Sequence, residues 1–387
     1  MVIRLGATVV EPISPDVIRT TDVGSYPLVA IDMTRYSWGA ADLEGSHHTE
    51  VAKDFIRQHN DAFTRKMRAL GSSISAPCYV QGTFERDMIS QFLDPIVRHG
   101  RGLQKQANRY LWDGTLIQLP SEKAQVAELL ALKHGAKTIC QEFEIDSIQY
   151  RACITGPFEL ASRLWRDMGI GPRYDESLIE SFAAIVRAFM KNAQIETKYL
   201  KPLIITLDEP SIGVAGVGDL FMDTDTDDRL NHLIDNWNTI LSTIPSCYYR
   251  GIHLHSSPYH QLASANWNLL EAHQSVIVSK SWLVEHNKYI RAAVMRTDGP
   301  TFSSGVNLRK AWDEILSGNI LPYLQPQEEM WHYLEAAVTR YGSDQVPFAG
   351  PECGLGPWNW RYGEEMVLAS LENLQQVVTS FNQSHKL

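Results

Sequence analysis

Apolar residues recur at helical spacing along six stretches, residues 50–70, 121–136, 177–201, 229–244, 327–343 and 363–381. Several open on Ser or an acidic residue, which suits the unpaired amides of a first helical turn. Between them lie shorter apolar runs of strand length, at residues 23–26, 76–80, 149–155, 203–207, 249–255, 275–279, 292–296 and 347–349. Strands that alternate with long amphipathic helices predict a parallel sheet, because a parallel crossover needs about the length of a helix. Eight such runs without a Gly-x-Gly-x-x-Gly opening predict an α/β fold of the closed (βα)8 TIM-barrel kind rather than a doubly wound sheet. No repeat, low-complexity tract or Gly/Ser linker divides the chain, so the expectation is one barrel over residues 21–387 after an irregular lead-in at 1–20. The segment GAADLEGSHH, residues 39–48, reads as a loop after the first strand, bordering the barrel mouth.

Composition narrows the class of function. Of 387 residues, 44% are hydrophobic and 21% charged, enough apolar surface for a large core and unlike a disordered chain. A formal net charge of -10 argues against a nucleic-acid binder, which would need a basic face. The five cysteines (Cys78, Cys140, Cys153, Cys247 and Cys353) are odd in number, widely spaced and without a C-x-x-C pair. That usage fits a reducing compartment, and the expectation is a cytoplasmic protein. The first apolar stretch is broken by Arg4 and followed by Glu11 and prolines, so it resembles neither a secretory leader nor a membrane span. The expected partner is a small-molecule substrate, with association into a homo-oligomer left open.

Candidate chemistry gathers at the C-terminal ends of the strand runs, where barrel enzymes keep their active sites. LIITLDEPSIG ends in Asp208 and Glu209. In GIHLHSS, the two-residue period of a strand puts His253, His255 and Ser257 on one face, opposite Ile252 and Leu254. AVMRTDGP supplies Asp298, and VPFAGPECGLG supplies Glu352 and Cys353 within a turn rich in Pro and Gly. A carboxylate at a strand end also serves as a helix cap, and a free cysteine is most often a small buried hydrophobe. Two histidines and a hydroxyl in line outweigh those plainer roles and point to a site.

Four stretches in this order, TTDVGSYP, GTFERDM, ITLDEPSIG and the pair GIHLHSS with PECGL, span nearly the whole chain. Together they resemble the cobalamin-independent methionine synthases and their half-length relatives, in the barrel superfamily that includes uroporphyrinogen decarboxylase. The resemblance implies a zinc ion on one His, two Cys and one Glu, which activates a thiol for methyl transfer. His255 and Cys353 match two of those ligands. Ser257 stands where the first cysteine belongs, and the glutamate expected at the end of the next strand is missing, since SVIVSKS offers Ser279 or Lys280, so two of four ligands remain. Ser25 and Asp208 match substrate-binding residues, Glu209 beside Asp208 is expected to bind substrate with them, and so is Thr83, which stands where the family has a second ammonium-binding glutamate. Asp298 takes the place of a catalytic histidine and, with His253, is the candidate for acid and base chemistry. The resemblance therefore implies a methyltransferase, or a demethylase by the reverse step, that does without S-adenosylmethionine. Its cofactor would be a divalent transition metal, zinc or another, its acceptor a small thiol or nitrogen heterocycle, and its methyl donor is not specified. Competing readings are a true methionine synthase with an altered zinc shell and a barrel that binds a small ligand without catalysis. Trp165, Trp358 and Trp360 are open to either packing or a place at the mouth.

Overall fold

The computed structural model describes residues 17–29, 31–82, 86–165, 175–212, 226–255 and 264–386. Its strands, in chain order, are β1 (Arg19–Thr21), β2 (Ser75–Ala76), β3 (Leu103–Gln106), β4 (Arg109–Trp112), β5 (Ile148–Thr155), β6 (Leu164–Trp165), β7 (Leu200–Asp208), β8 (Tyr249–Leu254), β9 (Leu269–Ala272), β10 (Tyr289–Met295) and β11 (Phe348–Pro351). Eight of them form one parallel sheet in the order β2-β1-β11-β10-β9-β8-β7-β5. A bridge between Cys78 and Arg151 brings its two ends together, with the Arg151 amide donating to Pro77 O at 3.0 Å. The result is the (βα)8 barrel that the hydrophobic pattern predicts. β3, β4 and β6 make a small separate sheet that the pattern does not announce.

Long helices occupy the periodic stretches, among them Glu50–Leu70, Ala127–Phe143, Glu176–Asn192, Gln327–Tyr341 and Gly363–His385. None among the described residues is long and apolar enough to cross a membrane. Three local expectations need correction. The stretch at 39–48 is not a loop: helix Met33–Glu44 runs into it, started by the Asp32 carboxylate, which accepts from the Thr34 and Arg35 amides at 3.1 and 3.2 Å. Its small residues serve packing, since a Cβ on Gly39 would lie 2.5 Å from Val51 O of the next helix. The first strand lies at Arg19–Thr21, ahead of 23–26. The sixth barrel strand is Leu269–Ala272, not 275–279, where Ser279 instead caps helix Lys280–Glu285 by accepting from the Trp282 amide at 3.1 Å.

The barrel interior is stacked in layers two residues apart along each strand, as alternation requires. At the floor, Ala76, Leu203, Ile204, Leu269 and Phe348 form an apolar cluster flanked by Tyr249 and Tyr289. One step up, the interior turns polar: Arg151 of β5, Thr206 of β7, Glu271 of β9 and Arg291 of β10 are all buried. Glu271 pairs with Arg151, lies 3.6 Å from Arg291 Nε and accepts from Thr206 Oγ1 at 2.8 Å. Two glycines make room for this layer. A Cβ on Gly251 would sit 2.5 Å from Thr206 Oγ1, and one on Gly350 would sit 2.9 Å from Arg291 Nη1. Another step up, at the strand ends, stand Asp208, His253 and the segment that begins at His273.

Because Glu271 is the carboxylate facing both guanidinium groups, Glu271→Gln would leave buried cations uncompensated. The expected cost is about 3–5 kcal/mol of unfolding free energy, measured by denaturant titration. A loss within about 0.5 kcal/mol, the scatter of surface substitutions, would show that the layer relaxes without its anion.

Candidate metal centre and substrate site

Four donors converge at the barrel mouth. One ligand atom each from His253, His255, His273 and Cys353 lies within 4.8 Å of the others. His253 Nε2 and His255 Nε2 are 3.1 Å apart, and Cys353 Sγ lies 3.8 and 3.4 Å from them. Bond lengths of about 2.0 Å to nitrogen and about 2.3 Å to sulfur would put tetrahedral donors roughly 3.3 to 3.8 Å apart. The observed spacings suit a common cation. Burial pushes the His255 imidazole down to about 4, helped by neighbouring His273, and lowers His253 and His273 as well. All three are thus neutral near pH 7, with a lone pair free for ligation. Burial pushes the Cys353 thiol up to about 11, so a thiolate there needs a cation beside it. Neutral imidazoles with one thiol make a donor set of the kind that first-row transition metals favour over Mg2+ or Ca2+.

The neighbouring strand contributes a carboxylate. Asp208 ends β7 in register with His253 of β8. Its Oδ2 accepts from the Cys153 thiol at 3.4 Å, while Oδ1 is buried and has no hydrogen-bond partner among the described residues. Burial pushes Asp208 up to about 7, with the Glu159 carboxylate adding to the effect. An open, buried acceptor at a strand end is what a substrate ammonium or N–H would fill. Glu209, next in sequence, turns the other way. Its carboxylate takes the amides of Phe158 at 3.1 Å and Glu159 at 2.7 Å and the Trp237 indole at 3.1 Å. These contacts cap helix Pro157–Ser162 and leave the side chain fully buried.

By sequence, no protein-family model matches this chain and no curated protein does. By structure, it resembles a B12-independent methionine synthase from Shewanella sp. W3-18-1 in complex with selenomethionine, at 13% identity and a TM-score of 0.58, over 95% of this chain and 98% of that one. It also resembles a methyltransferase from Methanosarcina mazei, at 13% identity and a TM-score of 0.54, over 96% and 95% of the two chains. The fold is that of the methionine-synthase-like barrels.

Within this barrel the other expected residues divide. Ser25 is half-buried and grips the cysteine turn: its hydroxyl accepts from the Gly356 amide at 3.1 Å and its carbonyl from the Leu355 amide at 2.9 Å. Asp298 is not brought to the donors. It forms an exposed pair with Arg296 at 2.9 Å, which holds its carboxyl below the usual range. Thr83 and Ser257 lie outside the described residues. Trp358 donates to Thr297 O at 3.1 Å and stacks on Trp360, tying the last loop to the one after β10. Trp165 lies under the Arg109 guanidinium, 4.2 Å from its ring centre. A cavity of about 760 Å3 bounded by Arg101, Ile117 and Ile185 carries none of the donors.

Sequence reasoning missed His273 because it placed the strand six residues late. Glu271 and His273 repeat the two-residue spacing of His253 and His255, and that is the signal that could have found them.

Asp208 also predicts a pH dependence. Its folded value of about 7 lies above the unfolded value near 3.8, so the folded state holds the proton more tightly. Its contribution to stability is complete below about pH 4 and is lost as pH rises through about 7. Asp208→Asn removes this loss, so the variant should gain stability relative to the parent from pH 4 to 8 in denaturant titrations. A difference independent of pH would contradict the assignment.

Proposed function

We propose that the protein is a methyltransferase of the methionine-synthase-like class that works without S-adenosylmethionine and depends on a divalent transition metal. The observation that carries this reading is the pairing of Asp208, with its open buried oxygen, and the donor cluster that begins one strand away at His253. The shared fold supports it. His255 and Cys353 hold the metal, whose chemical contribution is to lower the pKa of a bound thiol or acidic N–H near neutral pH. The residues of the chain do the rest. Asp208 accepts from the substrate's ammonium or ring N–H, with Cys153 fixing the other carboxylate oxygen so that the open one stays in place. Ser25 holds the Cys353 turn. His253, fully buried, is a further donor beside His255 and Cys353. In the transfer the acceptor's lone pair forms the new bond to the methyl carbon, and the donor leaves with the electrons of the broken bond. The acceptor is a small thiol or nitrogen heterocycle.

Two outcomes test this reading. Asp208→Asn keeps shape but loses a charge-assisted hydrogen bond of roughly 1.5 to 3 kcal/mol, so kcat/KM should fall about ten- to a hundredfold while the fold persists. A folded variant with full activity would remove Asp208 from the site. Homocysteine with methyl-folate should be a poor pair, because Thr83 and Ser257 stand where the family has an ammonium-binding glutamate and a zinc thiolate. Methionine formation at about 1 per second or faster would identify an ordinary methionine synthase instead.

A further inference from the structure

Of the four donors, His273 belongs to no expected ligand set, yet it directly follows β9, the strand next to β8, which carries His253 and ends just before His255. The carboxylate of β9, Glu271, is committed to Arg151, Arg291 and Thr206 in the layer below. His273 is the next residue on the same strand face, one step nearer the mouth, and its ring centre is 4.3 Å from that of His255. Among the described residues His273 Nε2 is buried without a hydrogen-bond partner. A buried imidazole nitrogen left open beside a thiol and two other imidazoles is the signature of a ligand position.

Its surroundings hold it there. Glu352 Oε1 accepts from the Gln274 amide at 3.0 Å and lies 3.6 Å from His273 Nδ1. Through its own main chain, Glu352 precedes Cys353, donates from its amide to Met295 O at 2.7 Å and accepts from Arg291 Nη2 at 3.3 Å. One residue therefore sets the spacing between the His273 segment and the Cys353 turn. A carboxylate beside the non-ligating side of a metal histidine is a recurrent way to orient the ring.

We propose that His273 is a metal ligand of this centre together with His253, His255 and Cys353, and that Glu352 is the residue that positions it. The centre is then three imidazoles and one thiolate, a set for a borderline first-row metal such as Zn2+ or Co2+, which a substrate would join as a fifth ligand. The assignment rests on the reading that a metal binds here, but its test needs no methyl transfer.

The experiment is titration of the purified metal-free protein with Co2+, followed by absorption spectroscopy and by competition with a chelator. The parent should show a thiolate-to-cobalt charge-transfer band, lost in Cys353→Ser, and visible cobalt bands that millimolar Mg2+ leaves unchanged. His273→Ala should weaken Co2+ binding at least tenfold and alter the visible bands. If that variant does not fold, His273→Gln replaces it. Glu352→Gln, which keeps an acceptor for Gln274 but loses the charge, should weaken binding about tenfold, the low end of the usual range for residues that orient metal ligands. Glu352→Asp should recover part of that loss. A parent that binds no Co2+ overturns both the metal and the donor set. A parent that binds, with His273→Ala showing unchanged affinity and spectrum, overturns the assignment of His273 alone. If Glu352→Gln lowers the melting temperature of the metal-free protein but leaves affinity and spectrum unchanged, Glu352 is structural only and its positioning role is overturned.

Discussion

The buried contact of Glu271 with Arg151 and Arg291 is the constraint on which the site depends. Charges inside a barrel cost several kcal/mol each in lost hydration, and partners in close contact must offset that cost. Here the partners come from different strands. Arg151 also donates to Asp22 O behind β1, and Arg291 to Pro351 O and Glu352 O at the end of β11. The layer therefore ties together β1, β5, β7, β9, β10 and β11, and with them the places from which Asp208, His273 and Cys353 rise. An apolar interior of equal volume could fill the barrel, but it would specify those places less narrowly. Two guanidinium groups against one carboxylate also leave a positive balance directly below the histidines, which helps to keep His253 unprotonated.

Above this layer the mouth has two unlike walls. On the β8, β9 and β11 side, neutral nitrogen and sulfur donors face one another at short range. On the β7 side, a desolvated carboxylate keeps one oxygen unused. The donors suit a cation, and the carboxylate suits a hydrogen-bond donor. A ligand that carries an acidic group at one end and an N–H at the other would span them. The turn that carries Cys353 is held from three sides, by Ser25, by Arg291 and by the Glu352 side chain. Little backbone motion is then needed to assemble the donors.

Much of this was legible in the sequence. The long helices follow from their periodicity, and GIHLHSS and LDEP could be placed on strand ends because each sits on an apolar run with a clear two-residue alternation. The polar layer was not legible, because Arg151, Glu271 and Arg291 are single charges inside short apolar runs, and a local pattern does not show that three strands bring them together. His273 escaped because β9 has only four residues, one of them Glu271, so its hydrophobic signal is weaker than that of the following SVIVS. Glu209 and Asp298 show the converse limit. Both stand at strand ends, but one turns to cap a helix and the other to meet Arg296, and that choice depends on neighbours distant in sequence.

The crowding around the cysteine turn has an evolutionary consequence. A methyl group at Gly350 would press on Arg291, and one at Gly354 would overlap Ser25 Oγ, so these two positions near Cys353 accept almost no side chain. Selection for a new substrate cannot easily begin there. It has more freedom in the connections beyond the strand ends, where a change of residue alters what reaches the mouth without moving the donors. Descendants of this protein would be expected to diversify in specificity while PECGLG drifts slowly, the scaffold of the centre outlasting the identity of what it acts upon.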